Sequence, residues 1–158
     1  MKLRLAKLLP LAIEGLVIAL IVSPLHEFWH TVAAHGLGVP GYVEYQLFSG
    51  HFWFNHPELV QLYQEAIVWA AGGLGVALCF GAMWACAWWE GRYSKWELDE
   101  QILFGAVTIW QAISGIGEGA AHWVDMQWVY YVSAAVATGV IGWLYMGKFI
   151  RWMEQDTV

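Results

Sequence analysis

The stretch Leu16-Val-Ile-Ala-Leu-Ile-Val-Ser-Pro-Leu25-His26-Glu27-Phe28-Trp29-His30 places two histidines and a glutamate at the end of a long apolar run. The run extends over about residues 8–34, enough for a helix to cross a hydrocarbon core of about 30 Å at a rise of about 1.5 Å per residue. Three further apolar runs, at about 63–89, 101–122 and 127–147, have comparable length. Of the 158 residues 59% are hydrophobic and only 13% charged, about half the charged share of an ordinary soluble domain. The mean hydropathy of +0.50 points the same way. The expected fold is therefore an all-α membrane protein, a single domain over residues 1–158 with four transmembrane helices.

The N-terminal Met-Lys-Leu-Arg-Leu-Ala-Lys resembles the start of a signal peptide, but the apolar stretch behind it runs on past Leu25 and is read as a retained span. The formal charge of −6 sits on short loops and tails; it repels nucleic acid, and no nucleic-acid partner is expected. Lipid and other membrane proteins are the expected partners. Cys79 and Cys86, seven residues apart in one apolar run, lie about 10 Å apart on a helix and read as small core residues rather than a disulfide.

The basic residues set the expected orientation. Lys2, Arg4 and Lys7 precede the first run, Arg92 and Lys95 separate the second from the third, and Lys148 and Arg151 follow the fourth. The connection over 35–62 contains no Lys or Arg at all. The positive-inside rule then puts both termini in the cytoplasm and the 35–62 segment outside. Within that segment, Gly41-Tyr-Val-Glu-Tyr-Gln-Leu-Phe-Ser-Gly50-His-Phe-Trp-Phe54 is rich in aromatic and β-branched residues, which predicts a small β-hairpin between helices 1 and 2 with Ser49-Gly50 at its turn. Its aromatics, like many of the twelve tryptophans, suit the headgroup region.

The chemistry lies in His26-Glu-Phe-Trp-His30. Histidines four apart project from one helical face, where two imidazoles can bind one Zn²⁺, and Glu27 can reach a metal-bound water as general base. Ionisable groups within a bilayer are costly and mark functional sites. A catalytic zinc site needs a third protein ligand, and the third run offers candidates in Ser114-Gly-Ile-Gly-Glu118-Gly-Ala-Ala-His122-Trp-Val-Asp125. His26 lies about 18 residues into the first span and Glu118 about 17 into the third, so both sit roughly 25–27 Å from the cytoplasmic side. Glu118, His122 and Asp125 are thus the candidate third ligands, Glu118 and His122 four apart on one face and Asp125 a turn further along. All six histidines, His26, His30, His35, His51, His56 and His122, fall in the outer half or outer loop; a wider site for zinc or copper is the second reading, with copper the less favoured ion. Glu14 reads as an acid reaching the cytoplasmic interface, and Gln111 as an interhelical hydrogen-bonding group.

The stretch His26-Glu-Phe-Trp-His30-Thr-Val-Ala-Ala-His-Gly-Leu-Gly38-Val39 resembles the site-2 protease (M50) family of intramembrane zinc metalloproteases, whose HExxH is followed by a small residue, a glycine and a hydrophobic residue leading into a β-hairpin. Ala70-Ala-Gly-Gly-Leu74 is similar to that family's Ala-Gly-Pro-Leu stretch, and Glu118-Gly119 falls where its third core helix carries Asp-Gly. Trp29 stands where the family often has glycine. The resemblance covers most of the chain and implies His26, His30 and Glu118 as zinc ligands, Glu27 as the base that activates water, and hydrolysis of a peptide bond in a membrane-embedded substrate. The second functional expectation is a non-catalytic, metal-binding or structural subunit of a larger membrane complex, to which the small loops and many aromatics are suited.

Overall fold

In the computed structural model, which describes residues 5–46, 49–90, 98–121 and 126–154, four helices are joined by one small antiparallel sheet. Helix α1 spans Leu5–Gly36, followed by strands β1 (Gly41–Gln46) and β2 (Ser49–Phe54), a 3₁₀ turn at Pro57–Leu59, and helices α2 (Leu62–Glu90), α3 (Leu98–Ala120) and α4 (Met126–Glu154). Each helix coincides with one of the four apolar runs, α3 taking up the third as far as Ala120, and the hairpin lies between the first two helices. Two helices are long and apolar enough to cross a membrane, over Ala12–Gly36 and Leu62–Trp89, while α4 carries a shorter apolar stretch at Tyr131–Gly147. Lys2, Arg4, Arg92 and Lys95 lie outside the described residues.

The end of α1 aims the chain at the hairpin. Gly38 adopts a positive φ of 70°, its N–H bonds the His35 carbonyl (3.1 Å), and the Val39 N–H bonds that of Ala34 (2.9 Å). This is the Schellman stop, which satisfies the last helical carbonyls and reverses the chain through a residue that favours glycine. The hairpin then folds back onto the helix it has just left. The pairing runs from Gly41 opposite Phe54 to Gln46 opposite Ser49. Ser49 and Gly50, predicted as the turn, are instead the first residues of β2, and the physical use of Gly50 is a different one, described below.

Strand alternation sends Phe52 inward and His51 and Trp53 outward. Phe52 is fully buried with Ala34 of α1 and Val68 of α2, and Val39, Val43 and Phe54 close around them. The helices pack in chain order, α1 on α2, α2 on α3 and α3 on α4, with the α2–α3 interface the most extensive. That interface is made of small residues: a side chain at Gly73 would strike the Gln111 carbonyl and Gly115, and one at Gly119 would strike Ala70 and Ala66. Such crossings let two backbones approach closely. Large apolar side chains instead point out of the bundle, among them Leu16, Leu20 and Ile21 on α1 and Trp128, Tyr131 and Trp143 on α4. Cys79 is half-buried and Cys86 is exposed, so the predicted core placement fails for Cys86, which falls on the outward face of α2.

Candidate metal centre

Helical spacing brings His26 and His30 together on one face of α1, with ring centroids 4.6 Å apart and planes nearly perpendicular. One ligand atom each from His26, Glu27 and His30 lies within 4.8 Å of the other two. Glu27 is 7% and His30 1% exposed, so both are withdrawn from solvent. Among the described residues this is the one group of three that could hold a metal ion.

The neighbouring helices fix the rings. The His30 Nδ1–H donates to the Val68 carbonyl of α2 at 2.7 Å, and the His26 Nδ1–H donates to Gln111 Oε1 of α3 at 3.2 Å. Both acceptors are oxygens that cannot donate, so each neutral ring keeps its proton on Nδ1 and leaves the Nε2 lone pair free. The two Nε2 atoms meet over Gly72 of α2, where even a methyl group would overlap them. Trp69 lies edge-on to His30 at a centroid distance of 5.1 Å.

Glu118 of α3 completes the approach. Its Oε2 lies 3.3 Å from His26 Nε2, an ion-pair distance, without forming a hydrogen bond. With the Nδ1 proton given to Gln111, the imidazole lone pair and the carboxylate oxygen are two acceptors facing one another, an arrangement that needs a positive charge between them. A proton can supply it, and so can a metal ion: two ligands about 2.0–2.1 Å from one tetrahedral Zn²⁺ are about 3.3–3.4 Å apart. Glu27 Oε2 and Glu118 Oε2 are both buried and without a hydrogen bond among the described residues. Orphaned carboxylate oxygens beside two free imidazole nitrogens match the donor set of a zinc site. Glu118 joins the group through His26, whereas His122 and Asp125, the alternative third ligands, lie outside the described residues.

The hairpin roofs the site. Gly50 of β2 rests on the aliphatic part of Glu27, and a Cβ there would overlap it; this close approach, rather than a turn, is what requires glycine. The Phe52 ring lies 6.0 Å from that of His30, and its backbone amide approaches the Glu27 carboxylate. One turn further along α2, the Trp29 indole of α1 fills the space over Gly75. Of the remaining described histidines, His35 is exposed and bonds the Thr31 carbonyl, and His56 pairs with Glu58 at 3.3 Å. His51 packs at a tilt against Trp53, ring centroids 5.1 Å apart, and is near enough to Glu27 and His30 to act on them electrostatically.

Gly72, Gly50 and the Val68 carbonyl are parts of the site that sequence spacing does not identify. The cluster Ala70-Ala-Gly-Gly-Leu74 carries a signal of close approach, but not of what approaches. No known protein family, curated protein or solved structure matches the chain.

Proposed function

We propose that this chain is an integral membrane zinc metalloprotease, divergent from the site-2 protease (M50) family, which hydrolyses a peptide bond of a membrane-embedded substrate. The observation that carries the reading is the meeting of His26 Nε2 and His30 Nε2 over Gly72, grouped within 4.8 Å with the Glu27 carboxylate, and with Glu118 Oε2 3.3 Å from His26 Nε2. The exposed apolar side chains of α1 and α4 support a lipid-facing bundle of four spans, since soluble monomers seldom leave such surface uncovered. The distribution of Lys and Arg supports cytoplasmic termini and a site toward the extracytoplasmic side.

His26, His30 and Glu118 hold the ion in this reading. When bound, Zn²⁺ supplies Lewis acidity, polarising the scissile carbonyl and lowering the pKa of a coordinated water. Glu27 takes a proton from the attacking water as the new C–O bond forms. It then delivers that proton to the amide nitrogen as the C–N bond breaks, leaving a carboxylic acid and an amine. The hairpin keeps bulk water from Glu27, which strengthens its electrostatic action.

Metal analysis of the purified protein together with Glu27→Gln tests this. Wild type should contain close to one zinc per chain and cleave a membrane-spanning substrate, while Glu27→Gln keeps the metal and loses at least about 10²-fold in rate, the usual contribution of a general base. Unchanged cleavage would remove Glu27 from the mechanism. A metal-free and inactive wild type would leave the non-catalytic subunit as the better reading.

A further inference from the structure

We propose that Gln111 is a positioning residue of the metal site, holding His26 in the one tautomer and ring orientation that presents Nε2 to the ion. The inference rests on the zinc reading above and assigns a role to a residue that first reads only as interhelical glue. Gln111 and Glu118 are seven residues apart on α3, two helical turns, and so share a face. One helix thus offers His26 a direct co-ligand at Nε2 and an outer hydrogen-bond partner at Nδ1, at 3.3 Å and 3.2 Å.

The side chains beside Gln111 offer His26 no substitute acceptor. Gln111 forms the polar end of a cleft of about 300 Å³ between α1, α3 and α4, whose other walls include Ile18, Val22, Val107, Trp110 and Ile141. None of those side chains can accept a proton from Nδ1. Without Gln111 the imidazole is free to move its proton to Nε2 and donate it to Glu118, which would remove the lone pair that binds the metal. His30 has no such dependence on a side chain, because its Nδ1–H is held by the Val68 backbone carbonyl.

The test is titration of detergent-solubilised, metal-stripped protein with Co²⁺, read by its visible d–d absorption, for wild type, Gln111→Leu and Gln111→Glu. Gln111→Leu, close to glutamine in size, should bind Co²⁺ about 10–100-fold more weakly, the usual loss when an outer partner of a ligating histidine is removed. Gln111→Glu, whose carboxylate accepts the same hydrogen bond, should bind at least as tightly as wild type. A packing role alone would lower the melting temperature of both metal-free variants and leave the Co²⁺ affinity and spectrum of the folded protein unchanged. Binding by Gln111→Leu within about twofold of wild type would overturn the inference. If that variant does not fold, Gln111→Glu decides, and weaker binding than wild type overturns it. A wild type that binds no Co²⁺ removes the metal reading itself, whereas a wild type that binds beside an unimpaired Gln111→Leu removes only the role of Gln111.

Discussion

Adding a single methyl group at Gly72 should separate the metal site from the rest of the fold. A Cβ at this position would overlap His30 Nε2 and Cε1 and His26 Nε2, all side-chain atoms of α1. In the metal-free protein the imidazoles can turn aside at the cost of weakening their Nδ1 hydrogen bonds to Val68 and Gln111, about 1 kcal/mol net, and alanine in place of glycine in a helix interior returns about 1 kcal/mol of propensity. The metal-free stability of Gly72→Ala should therefore change little. In the loaded protein the rings must return to ligating positions, and the overpacking of about 1–3 kcal/mol is then felt in full. Since each 1.4 kcal/mol is a factor of ten, Co²⁺ affinity should fall about 5–150-fold. Gly81→Ala on the same helix is the control, because its Cβ would meet only Thr108 Cγ2 at 3.4 Å, an ordinary contact. That variant should gain up to about 1 kcal/mol in stability with unaltered metal affinity. Spectroscopic Co²⁺ titration and metal-free thermal unfolding of both variants read the two quantities separately. If Gly72→Ala bound Co²⁺ as tightly as Gly81→Ala, the two Nε2 atoms would not be the ligating atoms, and the site described here would be wrong.

The hairpin and the orientation each carry a further expectation. Phe52 is fully buried between the hairpin and the helices, so Phe52→Ala should destabilise the protein by about 3–5 kcal/mol in denaturant unfolding from detergent. A loss below about 1 kcal/mol would show that the hairpin is not clamped onto α1. With Cys79 and Cys86 replaced by alanine, a cysteine introduced at the exposed Glu58 should react with a membrane-impermeant maleimide on intact cells. Reaction only after permeabilisation would reverse the orientation inferred from the Lys and Arg distribution.

The features legible in the sequence are those set by local periodicity. Long apolar runs mark four helices because a helix needs nothing beyond its own backbone to satisfy its hydrogen bonds. An HExxH marks one helical face because residues four apart lie side by side. Counting along the apolar runs puts Glu118 level with His26 because helical rise is constant, and the two side chains do meet. What escapes is set by which surfaces meet. Gly50 reads as a turn residue because glycine is the commonest turn signal, yet it sits in β2 because the Glu27 side chain occupies the space where a side chain would go. Gln111 is legible as a hydrogen-bonding group, but that its partner is His26 depends on how α3 crosses α1.

The glycines of α2 show the same limit most clearly. Gly72, Gly73 and Gly75 lie within four residues and read as one motif, but at about 100° per residue they leave the helix in different directions. Gly72 makes room for the imidazoles, Gly73 for the backbone of α3, and Gly75 for the Trp29 indole. The last of these shows how so large a residue fits beside His30. Trp29 is too bulky for a close helix crossing opposite any residue with a side chain, and Gly75 supplies the missing volume three residues beyond Gly72. The pair is thus one steric unit shared by α1 and α2, which keeps the tryptophan from levering His26 and His30 away from Gly72. Neither helix alone contains that information, since each residue looks anomalous until the other is placed against it.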